Sequence, residues 1–380
     1  MQRLLPERSI PMKLGAALTL FGLCGGVAAF AVASGCSSDS NDSSSGSETG
    51  RIPPEETGAL TSSTEERTFA LNTIQLGETD RKGNKDQNAW KAYGYNLDAL
   101  VTNVTDKNSP GLSKVCKLVP GGSATNHQDG AEGIDNSFGK NILQLIGTLA
   151  PTPSKDINDA LTRGDFTVLL KIKGLNDDPQ QTATGLSGTL LIGGKFGGDS
   201  GAQPTFTTAD DWPYLADPQV PLTGAYINKG EFVNGKFANG AGGATVKLAV
   251  SIQGNTLSLT INKAIVTFKN DPAGKALNEG TIAGVVDTEQ LVSGIRAIAG
   301  RIQKDFCTPG NAALEGILTS IRQASDMLSD GSQDPSKVCN GISIGLGFTA
   351  KQVGTPTTTA AVSGGTDPCA EGSDGDAGSQ

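Results

Sequence analysis

The sequence predicts an α+β fold, mainly β: an antiparallel sheet or sandwich with a C-terminal helical hairpin packed on it. Apolar residues alternate with a period of two in stretches between 166 and 268, and again over 342–350. Two apolar stripes of helical period, each behind a capping residue, occupy 287–328. The chain holds 51 glycines and only 5% aromatic residues, a balance that favours short strands and turns over large helical packing.

The chain opens on an export pattern. Arg3, Arg8 and Lys13 precede an uncharged stretch, 14–35, as a positive segment precedes the apolar one in a secretory signal, and Met12 offers an internal start. The stretch ends Ala33-Ser34-Gly35-Cys36, which resembles the lipobox of bacterial lipoproteins, with Ala33 where leucine is usual. The resemblance implies cleavage before Cys36, a diacylglyceryl group on its sulfur and a further acyl chain such as palmitate on the new amine. Two or more chains make membrane attachment stable, each buried methylene adding about 0.8 kcal/mol. An uncleaved membrane helix is the competing reading, since the stretch is long enough to span a bilayer. Gly25-Gly26 and the abrupt change to SSDSNDSSSGSETG favour cleavage. Ser37 resembles the default for sorting to the outer membrane of Gram-negative bacteria. The expected location is therefore outside the cytoplasm, on the outer membrane or cell surface rather than the inner membrane.

The expected division is 1–35 signal peptide, 36–66 disordered tether, 67–354 a single β-rich folded domain and 355–380 a disordered acidic tail. Within the domain, 68–76 alternates as a first strand and leads to a polar loop and the aromatic segment of Trp90, Tyr93 and Tyr95. Ile134, Phe138, Ile142, Leu145, Ile146 and Leu149 recur at helical spacing, ended by Pro151 and Pro153. Phe166, Val168, Leu170 and Ile172 mark a strand, and 186–192 another. The clearest hairpin sets Val246, Leu248, Val250 and Ile252 against Leu257, Leu259 and Ile261 across Gln253-Gly254-Asn255, and Ala264, Val266 and Phe268 continue it. At Asp287 the period changes. Leu291, Ile295, Ile298, Ile302 and Phe306 share one helical face behind an Asp287 N-cap, and Asn311 opens a second helix with Leu314, Ile317, Leu318, Ile321, Ala324 and Leu328. In the last strand Ile342, Ile344, Leu346, Phe348 and Ala350 alternate with Ser343, Gly345, Gly347 and Thr349, a glycine face that invites close contact.

Cys116, Cys307, Cys339 and Cys369 follow the lipidated cysteine, and four thiols in an oxidising compartment suggest two disulfides. Three connectivities are open; Cys307 with Cys339 and Cys116 with Cys369 is the favoured one. No paired C-x-x-C spacing and a single histidine argue against zinc. A net charge of −9 and a pI near 4.8 argue against nucleic acid or anionic headgroups as partners.

Motifs of catalysis do not hold up. Gly198-Asp199-Ser200-Gly201 resembles the nucleophile segment of trypsin-like proteases, but His127 sits in Thr125-Asn126-His127-Gln128, unlike that family's histidine segment. Residues 230–237 have phosphate-loop spacing, but Phe237 replaces the magnesium-binding hydroxyl and Asn234-Gly235 suits a hairpin turn. Asp210-Asp211-Trp212 lacks a second carboxylate suitably separated for glycoside hydrolysis. Trp212 and Trp90 are the candidate ligand-binding residues, as platforms for sugar faces. Calcium is the candidate cofactor. Asp80, Asn84 and Asp86 in one loop, and Asp129 and Asp135 in another, place oxygens around glycines as hard cations require, without the full EF-hand pattern. Ordinary solvated turns have the same composition.

Residues 88–98 (NAWKAYGYNLD), 133–139 (GIDNSFG) and 334–339 (DPSKVC) resemble segments of an uncharacterised lipoprotein group of soil δ-proteobacteria. The resemblance implies no activity and no functional residues. The function expected is that of a membrane-anchored exported lipoprotein with a binding or structural role and no catalysis. Its membrane contact is the lipid on Cys36, and nucleic acid is not a partner. The alternatives are a carbohydrate-binding or carbohydrate-degrading surface protein and a periplasmic lipid carrier, so a glycan or a lipid is the candidate ligand.

Overall fold

In the computed structural model, residues 50–149, 152–228, 236–240, 242–252 and 255–359 are described. The signal, Cys36, most of the 230–237 motif, Gln253-Gly254 and Cys369 lie outside them. The structure is mainly β. Strands β1 (Glu66–Gln75), β2 (Thr167–Lys173), β3 (Ala183–Gly193), β4 (Pro213–Asn228), β5 (Lys236–Ala238), β6 (Ala244–Ile252), β7 (Asn255–Asp271), β8 (Ala276–Asp287), β9 (Gly341–Val353) and β10 (Thr357–Thr359) form one sheet.

The sheet closes on itself. Its order runs β4-β3-β2-β1-β9-β8-β7-β5, and β5 pairs back with β4, giving an eight-stranded antiparallel barrel. The expected antiparallel sheet is present, and its closure into a barrel corrects the sandwich. The joint is three residues long: Phe237 lies between Ile227 of β4 and Phe268 of β7, and the two phenyl rings stack with centroids 4.3 Å apart. A three-residue strand has no readable period, so closure left no trace in the sequence pattern. β6 lies beside β7 outside this circuit, with Ile252 opposite Asn255, and β10 adds to β4 in parallel.

An eight-stranded barrel has an interior that side chains can just fill, or that can hold one small ligand. Here Phe69, Leu170, Leu190, Leu222, Ile227, Phe268, Ile282 and Phe348 share one buried cluster with the apolar faces of the helices. Those helices are α1 (Leu143–Leu149), α2 (Pro153–Arg163), α3 (Thr288–Ile302) and α4 (Ala312–Gln323). α2 lies against β1 and β6, and α3 against β7 and β8. Asp287 and Asn311 cap α3 and α4 as expected, their side chains accepting from Gln290 N and Leu314 N. Glu289 with Arg322, and Arg296 with Glu315, link the two helices. No helix among the described residues is long and apolar enough to cross a membrane.

Two segments differ from the expected division. Residues 50–65, read as the end of the tether, run as a strap along the barrel. Tyr226 Oη donates to Pro53 O at 2.6 Å, Thr61 N to Thr184 O at 2.9 Å, and Ser63 Oγ to Leu175 O at 2.7 Å. Thr357–Thr359, read as the head of the tail, forms β10. Hydroxyl and backbone groups hold both, so low hydrophobicity gave no warning. The disulfide expectation is also corrected: Cys116 bonds to Cys339, not to Cys369, with Cα atoms 5.3 Å apart. Cys307 is disulfide-bonded as well. Lys117, paired with Lys337 and Cys339 through backbone hydrogen bonds, aligns the two segments for the bond.

Candidate functional site: a buried carboxylate cluster

After β1 the chain makes a long irregular excursion, 77–137, before re-entering regular structure at the π-turn Phe138–Ile142. It is held where β9 has no side chains. A Cβ at Gly345 would strike the Tyr93 carbonyl, and one at Gly347 the Tyr93 ring, so the glycine face receives the Tyr93-Gly94 backbone. Asn136 is the clasp. Its Nδ2 donates to the carbonyls of Trp90, Tyr93 and Gly345 at 3.1–3.2 Å, and its Oδ1 accepts from Gly139 N and Gly345 N. Ser137 completes it, its amide donating to Ser343 Oγ and its hydroxyl to Ala324 O.

Around this clasp the fold gathers four aspartates. Asp135 accepts from Leu97 N at 2.7 Å, Asp129 from Thr102 N at 2.5 Å, and Asp98 from Leu100 N and Gln333 Nε2, each at 2.8 Å. Asp326 accepts from Ser343 N at 2.8 Å and Ser343 Oγ at 2.5 Å. Asp135 and Asp326 are buried, at 4% and 6% exposure. Burial disfavours the charged form, and each carboxylate adds repulsion on the others. Asp129 is pushed up to about 8 by burial, then by Asp98 and Asp326. Asp326 rises to about 7 through burial, against the pull of its Ser343 bonds. Burial also raises Asp98, and it lifts Asp135 well above the usual carboxylate range.

His127 and Lys140 border the cluster. His127 Nδ1 lies 3.1 Å from the Asp326 carbonyl. A carbonyl only accepts, so the proton sits on Nδ1 and Nε2 is a bare acceptor, buried without a partner. Burial lowers its pKa. Lys140 donates to Thr125 O, and burial brings it down to about 8 although Asp326 and Asp129 oppose the shift. The arrangement stores protons and ties loop amides. Among the described residues no group of three or more His, Cys, Asp or Glu side chains is set to hold a metal ion.

The other expected sites fall elsewhere. Asp80 spends its carboxylate on its own loop, accepting from Lys82 N, Asn84 N and Asn84 Nδ2, and Asp86 accepts from Asn88 N. Trp212 is fully buried between Phe196 and Phe206 and donates to Gly194 O. Trp90 is also buried, flanked by Lys91 and Lys140. Neither indole offers an open face. Asp210 and Asp211 organise loops through Thr205 and Thr355, and Ser200 donates to Gly197 O. Asp98, Asp326, Asn136, His127 and Lys140 were not among the expected site residues. They come from four places in the chain, at 98, 127, 136–140 and 326, joined by no shared spacing. Comparison with known proteins finds no family model, curated protein or solved structure that matches the chain.

Proposed function

We propose that the protein is an exported lipoprotein, anchored through Cys36, that acts by binding or as a structural element without catalysis. The observation that carries this reading is the Cys116–Cys339 disulfide, which closes a sequence separation of 223 residues. Such a bond persists in an oxidising compartment, in keeping with the export signal and lipobox-like residues at 33–36. We read α3 and α4 as a helical hairpin laid on the barrel, a reading that their two cross-helix ion pairs support. The carbohydrate reading loses its platform in the buried indoles. The carrier reading competes with an interior in which large side chains from strands and helices already meet.

Metabolic labelling with a palmitate analogue tests the anchor. The label should enter the full-length chain and be absent from Cys36→Ser, which should leave the membrane fraction. A soluble, unlabelled wild type would overturn the proposal.

A further inference from the structure

A cleft of about 470 Å³ lies where the end of β1, the 79–83 loop, the first turns of α2 and β9 meet. Its volume is within the range of small-molecule sites. Arg81, Lys82 and Lys155 line it, and no carboxylate does, in a chain whose net charge is −9. Arg81 is held in place: its guanidinium donates to Gly280 O and Thr281 Oγ1, both at 2.9 Å, and lies 5.0 Å over the Tyr93 ring. Lys155 shares its charge with Asp159.

Gln75 supplies the second, independent observation. It lines the same cleft, is 5% exposed, and its Oε1 is buried without a hydrogen-bond partner. A buried amide oxygen is rarely left unpaired, because desolvating it without a bond is costly. The side chain lies over Gly347, where a Cβ would come within 2.7 Å of that oxygen. An unpaired acceptor in the wall of a cationic cleft is mismatched for a simple anion but matched to an anion that also carries hydroxyls. The Thr73, Thr79 and Thr349 side chains add hydrogen-bonding groups to the lining.

We propose that this cleft binds a small hydroxylated anion, a sugar acid or a sugar phosphate, with Arg81, Lys82 and Lys155 facing the charge and the Gln75 amide turning into the cleft so that Oε1 accepts from a hydroxyl. This deepens the binding reading above and rests on it. Binding by the purified chain does not depend on acylation of Cys36, so failure here and failure of the anchor are distinguishable.

The test is calorimetric titration of the full-length chain with glucuronate, glucose 6-phosphate, glucose and inorganic phosphate. At least one of the first two should bind, and whichever binds tighter assigns the anion as carboxylate or phosphate ester. Glucose and inorganic phosphate should each be weaker by roughly tenfold or more, the effect of losing one good interaction. The double variant Lys82→Ala/Lys155→Ala, at exposed positions, should weaken the bound anion roughly tenfold, and added salt should weaken it too. Gln75→Leu should bring the hydroxylated anion down toward inorganic phosphate. No binding by any of the four, glucose as tight as the anions, phosphate as tight as its ester, or an unchanged affinity in the lysine variant would each overturn the proposal.

Discussion

Two loops built from the same aspartate, asparagine and glycine vocabulary end in opposite environments. In the loop of Asp80, Asn84 and Asp86 the carboxylates meet only amides of their own turn. In the loop of Asp129 and Asp135 they face Asp98, Asp326 and β9 from other parts of the chain, and Asp135 is buried. Composition offered both alike, as cation loops or as ordinary solvated turns. What decides burial is the opposing wall: β9 presents Ser343, Gly345 and Gly347 to the second loop, with a disulfide fastening its neighbours.

The largest expected effect comes from removing that fastening. Cys116→Ser/Cys339→Ser should lose about 2–5 kcal/mol in denaturant unfolding, by the cost of deleting a native disulfide. Limited proteolysis of the variant should cut within 98–137 before it cuts near Asp80; simultaneous cleavage of both loops would erase the distinction between them. Next comes Asp326→Ala, which leaves Ser343 N buried without its acceptor and should cost about 1–3 kcal/mol. Ser343→Ala should be non-additive with it in a double-mutant cycle, and strict additivity would show that the pair does not act as a unit.

The loops should also respond to pH with opposite signs. Asp129, Asp326 and Asp135 are raised above 3.8, so the folded chain keeps protons that the unfolded chain releases. Their contribution is full below 3.8 and is lost as pH rises toward about 8. Asp80 is lowered, so its contribution is present above 3.8 and lost as pH falls below it. His127, with its pKa lowered from 6.5, takes stability away below that value, since the unfolded imidazole takes up the proton first. Thermal melts should therefore give a higher Tm at pH 6.5 than at pH 8, a slope that Asp129→Asn flattens and Asp80→Ala leaves alone. A Tm that rises steadily to pH 8 in the wild type would contradict the assignment.

The smallest effect concerns calcium. Asp80 is committed to its own turn and Asp135 to Leu97 N, so excess calcium and chelator should give superimposable melts for wild type, Asp80→Ala and Asp135→Asn. A calcium-dependent rise in the wild type that disappears in either variant would restore a cation site to that loop.

Regular elements with long periods were legible. β7 and β9 keep their apolar faces inside, and α3 and α4 begin at the residues whose side chains cap them. The glycine face of β9 does take a close neighbour, the Tyr93 backbone. The helix expected to begin near Ile134 starts instead at Phe138, because Ile134 is extended and Asp135 and Asn136 are engaged as tertiary clasps. α2 was passed over because Pro153 was read as a stop; it occupies the first turn, where proline costs no hydrogen bond. β4 escaped notice too, since the half nearest its start holds no buried residue and carries two prolines. Of the carboxylate cluster, loop composition singled out Asp129 and Asp135 but not Asp98 or Asp326, for the four come together only when the excursion folds back onto β9 and the segment around Asp326.

The strap of residues 50–65 makes the molecule respond unevenly to force. A pull from the N-terminal side meets isolated contacts first, at Pro53, Thr61 and Ser63, which peel one after another. Released and straightened, the strap spans roughly 50 Å at about 3.4 Å per residue. Only then does load reach β1, which is laddered to β2 on one side and β9 on the other and must shear from both together. The segment is an extensible fuse in series with a stiff barrel.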